Sequence, residues 1–350
     1  MKDIVVREQL KKLPKIDLHL HLDGSVLPNT LRELAKEQGK ELPVEEGSEL
    51  TPWMLADESC TSLKEYLSKF AFVEPYLQTP EALERVAYEV VEQSAAQGCR
   101  YIEVRFAPLL HIKGGLSLEE AMRHTLHGLR RGERDFGVKA RGIAICLRHD
   151  AYERNEQVIL AAAKLHGDGI AAVDLAGDEA SFPPELHRSL FKLAASKGLP
   201  ITIHAGEAGG AENVQEAIES LGATRIGHGV RITENPAIME MVRRTGTPLE
   251  LCPLSNIQTK AVSGWEAYPI KAFLAAGIRA TINTDNLTVS GTTIGLEYEL
   301  LMEKCGVTLE EIGRLILNSA HAAFLEQEEK RQLIADIEQG LAAAGVKPAV

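Results

Sequence analysis

Histidines and carboxylates stand at matched places along this chain, and their spacing suits metal-assisted hydrolysis. The run Ile16–Ser25, IDLHLHLDGS, alternates strictly, with Ile16, Leu18, Leu20 and Leu22 on one parity and Asp17, His19, His21 and Asp23 on the other. Successive side chains of a strand point to opposite faces, so one face is apolar and the other carries imidazoles and carboxylates. Further along, His204 ends the run LPITIHAG with Glu207 just beyond it, His228 lies in TRIGHG, and Asp285 closes IRATINTD. One histidine at a strand end is more often a hydrogen-bonded structural residue than a ligand. Four, with a glutamate and an aspartate at equivalent places, point to a metal site. Three neutral imidazoles and a carboxylate suit zinc with a position left open for water, whose pKa then falls from about 16 to about 7. On this reading His19, His21, His204 and Asp285 are the ligands. Glu207, past a turn that glycine permits, reaches a substrate without binding the metal, and His228 is a base or electrostatic partner.

Eight β-rich runs carry these residues, near 15–22, 99–108, 140–148, 169–177, 199–206, 224–229, 247–253 and 278–285. Segments of helical spacing lie between them. Leu118, Met122, Leu126 and Leu129 form one stripe. Leu83, Val86, Val90 and Ser94 form another, opened by Thr79-Pro80 and closed by Gly98, the expected cap, first-turn proline and C-terminal glycine. Alternating strands and helices imply right-handed crossovers and a parallel sheet, here an α/β fold of the (β/α)8 barrel type. A doubly wound open sheet is the rival, lowered because no Gly-x-Gly-x-x-Gly follows the first strand. In a barrel the strand C-ends share one face, so the polar residues would converge there. The region from about 24 to 97 is too long for one crossover and reads as a helical cap inserted after strand 1. Extra helices follow Asn286, and no linker divides residues 1–350, so one hydrolase domain is expected.

The bulk properties narrow the partners. The 350 residues carry a net charge of −12, which discourages nucleic-acid and acidic-membrane binding. Five scattered cysteines without a Cys-x-x-Cys pair read as reduced thiols. The N-terminal residues lack the apolar run of a signal peptide, and no stretch approaches a membrane span, so a cytoplasmic protein is expected. Oligomeric state is not legible.

Taken together, KIDLHLHLDGS at 15–25, DLAGDE at 174–179, HAGE at 204–207, RIGHG at 225–229, CPLSN at 252–256 and NTDN at 283–286 resemble the adenosine deaminase family of the amidohydrolase superfamily over nearly the whole chain. The resemblance implies a barrel enzyme with one zinc ion per chain that hydrolyses the 6-amino group of adenosine and 2′-deoxyadenosine in purine salvage. It carries the ligand roles to His19, His21, His204 and Asp285, with His21 also facing the substrate. Glu207 matches the proton donor to purine N1, and His228 the histidine beside the attacking water. Asp285 joins them in orienting that water. Gly177 matches the backbone N–H that meets purine N3, and Asp23 the carboxylate that meets the ribose 5′-hydroxyl. Many members have a second aspartate after the ligand aspartate, facing N7; here it is Asn286, whose amide donates at any pH.

Other readings fit these residues less well. No lysine ends strand 4, which disfavours a dinuclear relative. Asp23-Gly24 in place of Glu-Gly favours a nucleoside over adenine, while a 5′-modified nucleoside such as aminodeoxyfutalosine stays open. A catalytically silent metal-binding barrel needs neither Glu207 nor His228. His124 and His127 read as a solvated helix face, His111 as a structural residue or pocket rim, and Arg105 as a buried ion pair. Trp53, Leu55, Leu63, Leu67 and Phe70 read as packing within a cap.

Overall fold

The computed structural model describes residues 8–45, 47–57 and 59–349. Its strands are β1 (Lys15–His21), β2 (Cys99–Phe106), β3 (Lys139–Leu147), β4 (Ile170–Ala176), β5 (Thr202–Ala205), β6 (Arg225–His228), β7 (Leu249–Leu251) and β8 (Ala280–Ile282). All pairings are parallel, in two sheets of order β1-β2-β3-β4 and β5-β6-β7-β8. Isolated bridges join the sheets at both seams. Val173 pairs with Ile201 and its N–H donates to Pro200 O at 3.0 Å. Leu20 pairs with Asp285, whose carbonyl accepts the His21 N–H at 2.7 Å while its N–H donates to His19 O at 2.8 Å. The expected (β/α)8 barrel is therefore closed, and its second seam runs through the candidate ligands.

The crossovers begin with α1 (Pro28–Glu37), α2 (Thr51–Met54), α3 (Leu63–Ser68) and α4 (Phe70–Val73), which form the insertion after β1. Next come α5 (Pro80–Ala96) and α6 (Leu118–Phe136). The expected insertion reached to about residue 97, but α5 packs on β2 and α6 as part of the outer ring. Thr79 caps α5 by accepting the Ala82 N–H at 3.2 Å, and Gly98 follows with φ +79°. Ser117 and Glu120 form a capping box on α6. The helices after β8, Ile294–Cys305, Leu309–Ala322 and Gln327–Ala343, appear where expected, and Leu309–Ala322 covers β8 and β1. Among the described residues no helix is long and apolar enough to cross a membrane.

Every residue of β1 is buried, so its polar parity faces the barrel interior rather than water. Strand side chains of this interior carry charge where many barrels are filled with branched apolar groups. Arg105 donates to Asp174 Oδ2 at 2.8 Å, Glu250 Oε2 at 2.7 Å and Leu18 O at 2.8 Å, so it is the buried ion pair expected. Arg225 reaches both Glu250 and Glu103.

The structure gives partners to three histidines read as structural or solvated. His124 and His127 do not merely face solvent: their Nδ1 atoms each lie 2.8 Å from an oxygen of Glu84, tying α6 to α5. His111 is fully buried rather than at a rim, with Nδ1 on Leu77 O at 3.2 Å, and burial lowers its pKa to about 4. The α5–α6 contact is close because α6 presents glycines there. A Cβ on Gly128 would meet Glu84 O at 2.2 Å and Ala87 Cβ at 2.8 Å, and one on Gly132 would meet Val91 Cβ at 2.6 Å. Gly128→Ala should lower stability by about 1–3 kcal/mol, the usual cost of overpacking, as read by thermal or urea unfolding.

Candidate active site

The C-terminal ends of β1, β5, β6 and β8 bring His19, His21, His204, His228 and Asp285 into one buried cluster. His19, His204, His228 and Asp285 offer ligand atoms all within 4.8 Å of one another. His21 belongs to the same group, its Nε2 being 3.3 Å from both His204 Nε2 and Asp285 Oδ1. His19 Nε2 lies 3.4 Å from Asp285 Oδ1. Two of these residues adopt left-handed backbone conformations, His228 at φ +62° and Asp285 at φ +61°. Non-glycine residues rarely do so without compensation, and such positions cluster at functional sites. Around Asp285 the Asn286 N–H donates to Thr284 O at 2.6 Å, closing a three-residue turn that swings the carboxylate off the strand line.

Outer partners determine what each ring can do. His19 Nδ1 meets Glu250 Oε2 at 2.8 Å, and His204 Nδ1 meets Asp174 Oδ2 at 3.0 Å. A carboxylate can only accept, so the proton sits on each Nδ1 and the Nε2 lone pairs turn inward. Burial alone would raise the Glu250 carboxyl, but Arg105 and Arg225 outweigh it and keep the group well below the usual carboxylate range. Ser255 Oγ donates to Asp285 Oδ2 at 2.6 Å, leaving Oδ1 toward the histidines. His228 differs: Asn256 Oδ1 accepts from Tyr268 at 3.2 Å, so Asn256 Nδ2 donates to His228 Nδ1 at 2.9 Å and the ring proton lies on Nε2. That Nε2 is 3.5 Å from Glu207 Oε2.

These groups fit a cation. His19 Nε2 is buried without a partner, and the Nε2 atoms of His21 and His204 face each other at 3.3 Å, a spacing that either a shared proton or a cation between them satisfies. Burial also holds His21, His204 and His228 below the ordinary imidazole range, which keeps them neutral near pH 7.

Glu207 is buried, and Oε1 has no partner. Burial pushes its carboxyl well above the usual range, and the charges of Asp285 and Glu179 push the same way. Asp23, at the start of the turn after β1, is raised to about 6 by burial, and its Oδ1 is also unpartnered. Gly177 follows β4 with φ +115° beside Arg148. The free amide expected of Asn286 is engaged instead: Nδ2 donates to Tyr66 Oη at 2.8 Å, and Oδ1 lies where a Cβ on Gly24 would be 1.6 Å away. Tyr66 belongs to α3, so the insertion reaches directly into the site. Phe70 lies over His21 with ring centroids 6.4 Å apart, whereas Trp53 stacks on Phe72 and is half exposed.

A parallel eight-stranded barrel with imidazoles and a carboxylate converging at its C-terminal mouth defines a metal-binding hydrolase of the amidohydrolase type. The adenosine deaminase family model matches residues 14–340. The chain belongs to the adenosine deaminase family. It is 44% identical to an adenosine deaminase of Clostridium botulinum over 323 residues, covering 92% of this chain and 98% of that one. An Enterococcus faecalis adenosine deaminase is 42% identical over 331 residues, covering 95% and 98%. Among solved structures, an adenine deaminase from Arthrobacter aurescens superposes with TM-score 0.87 at 29% identity, covering 94% of this chain and 99% of that one. A Burkholderia ambifaria amidohydrolase with bound Zn gives 0.88 at 25%, covering 97% and 95%.

Sequence reasoning did not assign roles to Glu250, Asp174, Ser255, Asn256 or Tyr66. A signal for Glu250 was present in PLELCP, a single carboxylate inside an apolar strand that must be paired. Its replacement tests the support given to His19: Glu250→Gln should weaken metal affinity by about 10–100-fold, measured by competition with a chelator.

Proposed function

We propose that this protein hydrolyses the 6-amino group of adenosine and 2′-deoxyadenosine, releasing ammonia and leaving the 6-oxo nucleoside. The observation that carries the reading is the pairing of a buried, proton-holding Glu207 with a cluster of candidate ligands in which burial keeps His21 and His204 neutral. His19, His21, His204 and Asp285 are the proposed ligands and zinc the proposed metal. Zinc held there supplies acidified water at neutral pH. The proton on His228 Nε2 supports its placement outside the ligand set, since a protonated nitrogen has no lone pair to give.

The remaining steps belong to the chain. Glu207 protonates purine N1, which makes C6 an acceptor for the attacking oxygen. His228 orients that oxygen through its Nε2–H, 3.5 Å from Glu207, and Asp285 takes its protons; one leaves with the departing amine and one restores Glu207. The Gly177 N–H would meet N3, Asp23 the ribose 5′-hydroxyl, and Asn286 the N7 edge once its amide leaves Tyr66.

A nucleoside is favoured over a nucleotide by the negative field at Asp23, where Glu74 adds to the charge. A relative from Arabidopsis was solved with IMP bound, at 26% identity, so the distinction is worth measuring. Ultraviolet absorbance should show rapid turnover of adenosine and 2′-deoxyadenosine, with adenine and AMP slower by orders of magnitude. Rapid turnover of AMP would remove Asp23 from its assigned place.

Glu207→Gln should keep its metal and lose about 10²–10⁴-fold in kcat, the range a general acid contributes. The sign of the pH effect follows from the raised pKa. Glu207 is active as the neutral acid, so kcat/KM holds below that pKa and falls as pH rises through it. The alkaline limb should be absent from the residual rate of Glu207→Gln.

A further inference from the structure

We propose that Glu179 is the positioning residue for the acid Glu207, a role that rests on the reading of Glu207 as proton donor. Glu179 ends the DLAGDE segment after β4 and is 2% exposed. Its carboxylate gathers five donors, four from the turn after β5 and one from the helix that follows it. Oε1 accepts the Gly206 N–H at 2.7 Å and Asn213 Nδ2 at 2.9 Å. Oε2 accepts the N–H groups of Glu207 at 3.0 Å, Ala208 at 2.8 Å and Gly209 at 2.8 Å. No Lys or Arg pairs with it at salt-bridge distance among the described residues. Four successive N–H groups converging on one point make an anion nest, and the anion here is the chain's own carboxylate.

The nest is fitted sterically as well as electrically. A Cβ on Gly209 would fall 2.0 Å from Asn213 Nδ2 and 2.7 Å from Glu179 Oε1, so only glycine lets that N–H reach the carboxylate. Gly206 has φ +70°, and a Cβ there would meet Val214 Cγ2 at 2.6 Å. The turn therefore takes its shape from Glu179, and Glu207 sits within it. Its backbone is held to the segment that follows β4 through this carboxylate, across a sheet seam from the strand that precedes it. Glu179 touches no reacting atom; it fixes where the Glu207 side chain starts.

The test compares wild type with Glu179→Gln, Asn213→Ala and Glu207→Gln. Each is measured for kcat, KM, metal per chain, far-ultraviolet circular dichroism and binding of 1-deazaadenosine, which has C–H in place of N1 and makes no demand on Glu207. A glutamine at 179 turns one acceptor into a donor facing donors. We expect kcat to fall about 10²-fold, the low end of a general acid's contribution, with KM, metal and 1-deazaadenosine affinity held. Asn213→Ala, which removes one donor, should lower kcat less and in the same direction. It carries the test if Glu179→Gln does not fold. Wild-type kcat in Glu179→Gln would overturn the proposal, and so would equal losses of kcat and 1-deazaadenosine binding. Wild-type kcat in Glu207→Gln would instead overturn the reading of Glu207 itself.

Discussion

Charge inside this barrel has to be neutralised without water, and the network around Glu250 does so. Its two oxygens take Arg105, Arg225, Thr202 and His19. Removing either arginine from such a set leaves an uncompensated buried charge, which costs about 3–5 kcal/mol. Arg105 extends the network to Asp174, and Asp174 holds His204. Two histidines from strands on opposite sides of the barrel are thus aimed by carboxylates that one guanidinium steadies. Support for the fold and aim for the site are the same bonds.

The same network separates chemically identical side chains into different roles. His19 and His204 are backed by carboxylates that fix the proton on Nδ1 and leave Nε2 bare. His228 is backed by an amide and carries its proton on the opposite nitrogen. Carboxylates divide likewise. Asp285 accepts from Ser255 and lies among imidazoles, whereas Glu207 is surrounded by burial and negative charge and keeps its proton. Environment, rather than residue type, divides the work.

Much of this was legible in order of sequence. Strict alternation in β1 announced two imidazoles on one face, and the helix cap at Thr79 fell where side-chain chemistry required. The strand C-ends carried each candidate ligand. The outer partners were harder to see because their meaning depends on long-range contact. Glu250 and His19 lie 231 positions apart, and Tyr66 meets Asn286 across 220. The place of α5 is hidden for a related reason: its sequence shows only that it is amphipathic, and its packing in the outer ring depends on the glycines of a later helix.

The seam between β1 and β8 gives the chain an order of completion. Leu18 N–H donates to Asn283 Oδ1 across 265 positions, and Thr284 Oγ1 donates to Asp17 Oδ2 across 267. Contacts of such separation close late, because loop entropy is spent before they form. During synthesis the first two histidines leave the ribosome hundreds of residues before their carboxylate partner. A nascent or truncated chain thus presents His19 and His21 without the carboxylate that faces them, and the buried cluster is complete only once the whole barrel has been made.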